Sequence, residues 1–198
     1  MFTGIIQNLG SVINYANGQL EISTNLDLSQ CEIGSSICCN GVCLTATEII
    51  KKNKQFFFKV NLGEETQQRT NFSDNLFNKS VYINIEKSLK IGDEISGHFV
   101  YGHIDSITKI IDIKILKNSW EFFFENFNNS NKKFIVEKGS IAINGISLTI
   151  AKENKNNFSV SVIPHTYENT NLKYLKIEDY VNVEFDYLAR FSMKDKLQ

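Results

Sequence analysis

The chain has 198 residues, 42% of them hydrophobic and 22% charged, with a formal net charge of −1, so it can hold one large globular domain or two of roughly 100 residues. Near-neutrality offers no electrostatic handle for nucleic acid. The opening MFTGIIQNLG lacks the basic and apolar regions of a signal peptide, and no stretch approaches a membrane-spanning apolar run, so a cytoplasmic location is expected.

In chain order, turn signals separate short apolar runs. AsnGly at 17–18 is the first, followed by IGSSICCNGVCLTATEI (33–49), which folds back at AsnGly 40–41, and by KQFFFKVNL (54–62). Next come VYINIE (81–86), GlyAsp at 92–93, SIAINGISLTIA (140–151) with AsnGly at 144–145, and NFSVSVIP (157–164), ended by Pro164, the one proline. These runs are rich in β-branched and aromatic residues, as strands are. Helical signal is sparse: NSWEFFFENFNN (118–129) predicts a short helix and DYLARFSMKDKLQ (186–198) a terminal one. The fold class is therefore all-β, with a small closed barrel in each half and a short C-terminal helix.

The four cysteines, 31, 38, 39 and 43, fall in one thirteen-residue window. A disulfide framework would spread them out, and neither a C-x-x-C pair nor clustered histidines indicate zinc, so no metal is expected. Cys31, Cys38 and Cys39 read as small buried hydrophobes. Cys43 reads differently because its frame recurs.

Four segments match in the same order in both halves. MFTGII (1–6) aligns with FVYGHI (99–104), NGVCLT (40–45) with NGISLT (144–149), ETQQRTNF (65–72) with HTYENTNL (165–172), and YINIE (82–86) with YVNVE (180–184). The offsets of 98, 104, 100 and 98 are nearly constant, the mark of an internal duplication. Its halves are taken as residues 1–92 and 93–186, followed by a tail at 187–198. Side chains alternate along a strand, so Val42 and Leu44 belong inside one barrel while Cys43 and Thr45 face out. Ile146 and Leu148 point inward in the other, with Ser147 and Thr149 outside. A small polar pair on each barrel suits a shallow ligand site, and duplication implies two similar sites for two similar ligands.

MFTGIIQNLGSV, NGVCLT, GHFVYGHID (97–105), KGSIAINGISLTI (138–150) and VIPHTYENTNL (162–172) closely resemble the riboflavin synthase family of the α-chain type. The resemblance runs from residue 1 to about 190. It implies two similar six-stranded, Greek-key-type barrels in tandem per chain and a homotrimer held partly by C-terminal helices. Each active site would lie between the N-barrel of one subunit and the C-barrel of its neighbour. The implied reaction is a dismutation of two molecules of 6,7-dimethyl-8-ribityllumazine to riboflavin and 5-amino-6-ribitylaminouracil, with no cofactor and two lumazines per site.

The same resemblance places Gly4, Ile5 and Ile6 at the first pteridine, with Cys43, Leu44 and Thr45 as a second wall. Asn61, Leu62, Gly63, Glu64, Glu65 and Thr66 form a third. On the C-barrel it implies Lys138, Ser147, Leu148, Thr149, Ser161, Val162, Ile163, Pro164, His165 and Thr166. His103 matches a residue of proton transfer, Ser36 and Cys43 the candidate nucleophile region, and Phe2 an aromatic near the reacting centre. An imidazole titrates near neutrality and suits that task, whereas a thiol needs a cationic neighbour to act as thiolate. His98 lies an odd number of residues from His103 and reads as structural. Thr70, Asn71, Thr170 and Asn171 read as turn formers outside the site, and the lysine- and asparagine-rich loops as compositional drift. Asn144 stands where family members often carry Asp. The alternatives are a lumazine- or flavin-binding protein of the same fold without turnover, and a β-barrel adaptor for protein partners.

Overall fold

The computed structural model describes residues 1–72 and 82–194; LFNKSV (76–81), which the sequence gives as the turn before YINIE and without the GlyAsp usual there, lies outside the described residues. Six strands build the first barrel: β1 (Asn8–Ala16), β2 (Gln19–Thr24), β3 (Ser36–Cys39), β4 (Val42–Lys52), β5 (Gln55–Asn61) and β6 (Tyr82–Lys87). They close in the order β1-β2-β5-β4-β3-β6. The second barrel contains β7 (Ser106–Ile115), β8 (Trp120–Glu125), β9 (Ser140–Ile143), β10 (Ile146–Glu153), β11 (Asn157–Val162) and β12 (Tyr180–Phe185). Read from β7, its closed order is β7-β8-β11-β10-β9-β12, the same Greek-key path. Short helices follow corresponding strands: α1 (Glu64–Arg69) after β5 and α3 (Pro164–Asn169) after β11. A single turn, α2 (Asn129–Lys132), precedes β9, and α4 (Tyr187–Lys194) ends the described chain.

Local chemistry accounts for the register. The AsnGly turns at 17–18, 40–41 and 144–145 have positive φ at both residues, as the tight hairpin turn requires. Val42, Leu44 and Ala46 fill the first barrel, and Ile146, Leu148 and Ile150 the second. The helix expected at 118–129 is instead strand β8. Phe122 and Phe124 are fully buried in the second core and Trp120 packs against it, while Glu121, Phe123 and Glu125 alternate with them, a period of two that aromatic residues satisfy in a sheet. The ring of Trp120 stacks on Tyr167 with centroids 3.9 Å apart.

The barrels are joined by a reciprocal exchange. The segment ahead of β1 crosses to the second barrel, where Ser147 N–H donates to the Gly4 carbonyl at 2.8 Å and Ile6 packs on the second core. The segment ahead of β7 crosses to the first, where Cys43 N–H donates to the Gly102 carbonyl at 2.9 Å and Ile104 enters the first core. The two segments meet in an antiparallel bridge at Phe2 and Val100. Both crossings need glycine: φ is +75° at Gly4 and +81° at Gly102, and a Cβ would stand 2.7 Å from that of Ser147 and 2.5 Å from that of Cys43.

Glutamates at equivalent repeat positions hold these segments. Glu86 accepts from Thr3 N–H at 2.7 Å and Gly4 N–H at 3.0 Å. Glu184 accepts from the N–H groups of Tyr101, Gly102 and His103 at 2.6, 2.7 and 3.0 Å. Burial pushes both carboxyls above the ordinary range, against the downward pull of these donors.

Buried asparagines close the seam. Asn84 N–H donates to Asn40 Oδ1 and Asn182 N–H to Asn144 Oδ1, each at 2.8 Å. Across the barrels, Asn84 Nδ2 donates to the Asn144 carbonyl at 3.0 Å and Asn182 Nδ2 to the Asn40 carbonyl at 2.9 Å. Asn171 N–H donates to Asn84 Oδ1 and Asn71 N–H to Asn182 Oδ1, both at 2.7 Å. The threonines of T-x-x-x-T-N do make local turn contacts, with the hydroxyls of Thr70 and Thr170 donating to the carbonyls of Thr66 and Thr166. Their asparagines do not, because they span the interface. Asn144 accordingly serves the seam, where an amide oxygen suffices.

Replacing Asn84 strands several buried groups at once, so Asn84→Ala should lower stability by roughly 2–4 kcal/mol; urea unfolding followed by tryptophan fluorescence measures this, and a loss near zero would contradict the seam. The pKa of Glu184 is raised in the folded state, so its contribution is full below the unfolded carboxyl value and lost as pH rises through the folded one. The melting-temperature gap between the wild type and Glu184→Gln should therefore widen from pH 8 toward pH 4.5. A gap that narrows on acidification would show the opposite sign.

Candidate functional site

On the first barrel, the outward face of β4 and the crossing segment enclose a cleft of about 360 Å³, within the range of small-molecule sites. Cys43, Glu65, Thr66, Gly102 and His103 contribute to its walls, and Tyr187 and Arg190 of α4 reach over it. Each part has a local cause. Strand parity turns Cys43 outward while Leu44 is 4% exposed in the core. Helix α1 presents Glu65, Thr66 and Arg69. Glu184 fixes the backbone at His103, whose ring is exposed 6.4 Å from that of Tyr101. The helix α4 is seated by the Tyr101–Tyr187 ring contact at 4.3 Å and by an Arg190–Asp105 ion pair.

Both arginines at the cleft are already paired with carboxylates, Arg69 with Glu65 at 2.9 Å and Arg190 with Asp105. The surroundings therefore favour an uncharged, hydrogen-bonding ligand edge over an anion. The imidazole of His103 is exposed at the cleft wall.

The candidate residues separate into two sets. Gly4, Ile5 and Ile6 do not line the cleft of Cys43: Gly4 lies on Ser147 and Ile6 packs on the second core, while Ile5 borders a separate hollow with Glu86 and Lys87. The wall beside Cys43 is Gly102, His103 and Ile104, which the repeat aligns with them. This correction follows from the exchange of segments, which a linear alignment does not reveal. Leu44, Leu62, Leu148 and Val162 are core residues, so only their backbones can face a ligand. Thr45, Gly63, Glu64 and Asn61 are exposed away from the cleft walls, Asn61 and Leu62 bordering a separate hollow beside the β1–β2 turn.

Ser36, on β3, stands opposite Thr45, two residue pairs beyond Cys38 and Cys43, on the outward face but outside the cleft. Phe2 is completely buried with Cys38, Val100 and Ala142, and Cys43 packs against that cluster. It reaches the site from behind. Of the other cysteines, Cys38 and Cys39 are buried as expected, while Cys31 is partly exposed.

On the second barrel, Ser147 and the exposed Thr149 face outward as expected. Ser161 and Ile163 are exposed at the end of β11, where Pro164 opens α3. His165 lies on α3 beside Asn169, and Thr166 aligns with Thr66 of the cleft. Lys138 is exposed in the turn before β9, its N–H bonded to the Ile150 carbonyl at 2.8 Å.

Several wall residues went unread. Gly102 and Asp105 sit inside GHFVYGHID, and the alignment of Gly4 with Gly102 was the signal for the first. Tyr187, Arg190 and Arg69 carried none, because only folding brings them to the cleft. His98, which strand parity turns away from His103, lies on irregular backbone, since residues 97–99 and 101–105 form no strand. Its Nδ1 lies 2.6 Å from Ser147 Oγ.

Comparison with known proteins agrees with this duplicated arrangement. The lumazine binding domain family matches residues 3–88 and again 101–186. The chain is 38% identical to riboflavin synthase of Brucella abortus (strain 2308), over 98% of this chain and 97% of that one. It is 34% identical to riboflavin synthase of Saccharomyces cerevisiae, over 100% of this chain and 87% of that one. In fold it is similar to LumP complexed with riboflavin, with a TM-score of 0.77 at 20% identity over 93% of this chain and 99% of LumP. LumP complexed with 6,7-dimethyl-8-(1'-D-ribityl) lumazine gives a TM-score of 0.75 at 19% identity, over 93% and 98%. With two lumazine binding domains and relatives this similar along nearly its whole length, the chain belongs to the riboflavin synthase family.

Proposed function

We propose that the protein is an enzyme that converts two molecules of 6,7-dimethyl-8-ribityllumazine into riboflavin and 5-amino-6-ribitylaminouracil by moving a four-carbon unit from one to the other. The observation that carries this reading is the reciprocal exchange, which gives each barrel an outward polar strand residue covered by a glycine segment from the other half. Two related sites suit a reaction whose donor and acceptor are the same compound. Holding both in attack geometry can supply roughly 7–11 kcal/mol of the barrier. In this reading a proton leaves the 7-methyl group of one lumazine and a nucleophile adds at C7 of the other. His103, held at the cleft by Glu184, is the acid–base group. Cys43 and Ser147 are contact residues, Phe2 supports the Cys43 wall, and Ser36 is a more remote nucleophile candidate. Lys138, Thr149, Ser161 and residues 163–166 surround the second ligand together with Gly4, Ile5 and Ile6.

Each complete reaction centre is read as forming between the first barrel of one subunit and the second barrel of another, in a cytoplasmic homotrimer. The chain divides in this reading into units 1–92 and 93–186 with a contact tail from 187. Support comes from α4, where Leu188 is 72% and Phe191 64% exposed while Tyr187 and Arg190 face the cleft. That leaves an apolar face for a neighbour. No helix among the described residues is long and apolar enough to cross a membrane.

The second reading, a chromophore-binding protein without turnover, draws on the likeness in fold to LumP. Incubation of the purified protein with 6,7-dimethyl-8-ribityllumazine alone should yield riboflavin, followed by absorbance; tight binding without product would favour this second reading. In the same assay His103→Gln should lower kcat by about 10²–10⁴. If Cys43 only contacts the ligand, Cys43→Ser should lose less than about tenfold, and a loss as deep as that of His103→Gln would make the thiol the nucleophile. Sedimentation equilibrium should give about three times the 22.6 kDa chain mass, and an active monomer would sink the intersubunit site.

A further inference from the structure

The two barrels present different groups at equivalent positions, Cys43 on one and Ser147 on the other, and their surroundings differ as well. Cys43 shares its cleft with His103, which stands on the crossing segment. Ser147 has an imidazole directly upon it, with His98 Nδ1 2.6 Å from its Oγ. This imidazole–hydroxyl pairing is found at the second site.

The position is built. His98 N–H donates to the Thr3 carbonyl at 3.1 Å. Gly97 lies so close that a Cβ there would meet the Thr3 carbonyl oxygen at 2.1 Å and Ser147 Oγ at 3.1 Å. The same Thr3 is gripped by Glu86, so the clamp that seats the N-terminal segment also sets the imidazole against the serine.

We propose that His98 is a positioning residue of the second-barrel site, its Nδ1 accepting the Ser147 hydroxyl hydrogen so that Ser147 offers only oxygen lone pairs to a bound lumazine. A free serine hydroxyl rotates and can either donate or accept. Holding its hydrogen inward selects a ligand edge that carries an N–H donor, such as a pteridine ring imide, and removes the rotational freedom lost on binding. Burial pushes the imidazole pKa of His98 below its ordinary value, opposed by Asp186, which favours the neutral ring that this direction of donation requires. The thiol at Cys43 is a weak donor and acceptor, and among the described residues no histidine is hydrogen-bonded to it as His98 is to Ser147. One site thus holds its ligand by a fixed acceptor and the other by a softer contact, a difference that lets two copies of one compound take unlike roles.

The inference rests on the proposed function, and a double-mutant cycle separates the two. Equilibrium fluorescence titration of the full-length protein with 6,7-dimethyl-8-ribityllumazine gives the affinity, and thermal melting checks folding. His98→Phe keeps a ring and removes the acceptor, and should weaken the tighter-fitted binding class about five- to tenfold, as should Ser147→Ala. The double variant should be no weaker than Ser147→Ala alone, and His98→Asn, whose Oδ1 can take the place of Nδ1, should recover most of the loss. Independent, multiplying losses, no loss for His98→Phe, or no recovery with His98→Asn would each overturn the role of His98. A wild-type protein that binds no lumazine would overturn the proposed function and this inference with it.

Discussion

The structure depends on one constraint: each barrel is completed by a segment that belongs to the other half of the chain. Ile6 packs on the second core and Ile104 enters the first, while Gly4 and Gly102 bring backbone onto Ser147 and Cys43 at distances no side chain would allow. The segments arrive with unpaired N–H groups at a buried seam, where each orphaned donor is costly. Glu86 and Glu184 satisfy them. The asparagines at 40, 84, 144, 171 and 182 do the same for the hairpin turns and strand ends around them. Stability and site geometry are therefore one problem here, because the groups that lock the barrels together also place the residues that face a ligand.

That coupling explains how a duplication can yield two related but unequal sites. The backbone plan is common to both halves: outward strand residue, covering glycine, following isoleucine. The variable parts are the side chains at matching positions. His103 aligns with Ile5, Cys43 with Ser147, and Glu65 with His165. Additions beyond the repeat sharpen the difference. Helix α4 brings Tyr187 and Arg190 over the first site, and His98 bonds Ser147 at the second.

Much of this was legible in linear sequence. Two-residue alternation placed Val42 and Leu44 inside and Cys43 outside, and ordered matches revealed the duplication. Short-range patterns failed where two signals competed. The aromatic run at Trp120–Phe124 was compatible with a helix until pairing with β7 and β11 selected the strand. Parity could not orient His98, because the chain crosses between barrels there as irregular backbone, and Asn71 and Asn171 read as local turn formers because nothing nearby in sequence shows a partner some 110 or 90 residues away.

By itself, the sequence determined the local alternation, the AsnGly turns, the repeat and the family, since each depends on residues near one another or on order along the chain. Only the tertiary structure decided which glycine covers which barrel, that Gly102 and not Gly4 lies on Cys43, and that His98 reaches Ser147. Those contacts join positions 49 to 143 residues apart. They are selected by long-range burial and by the need to pair every donor in the seam, and neither leaves a local pattern to read.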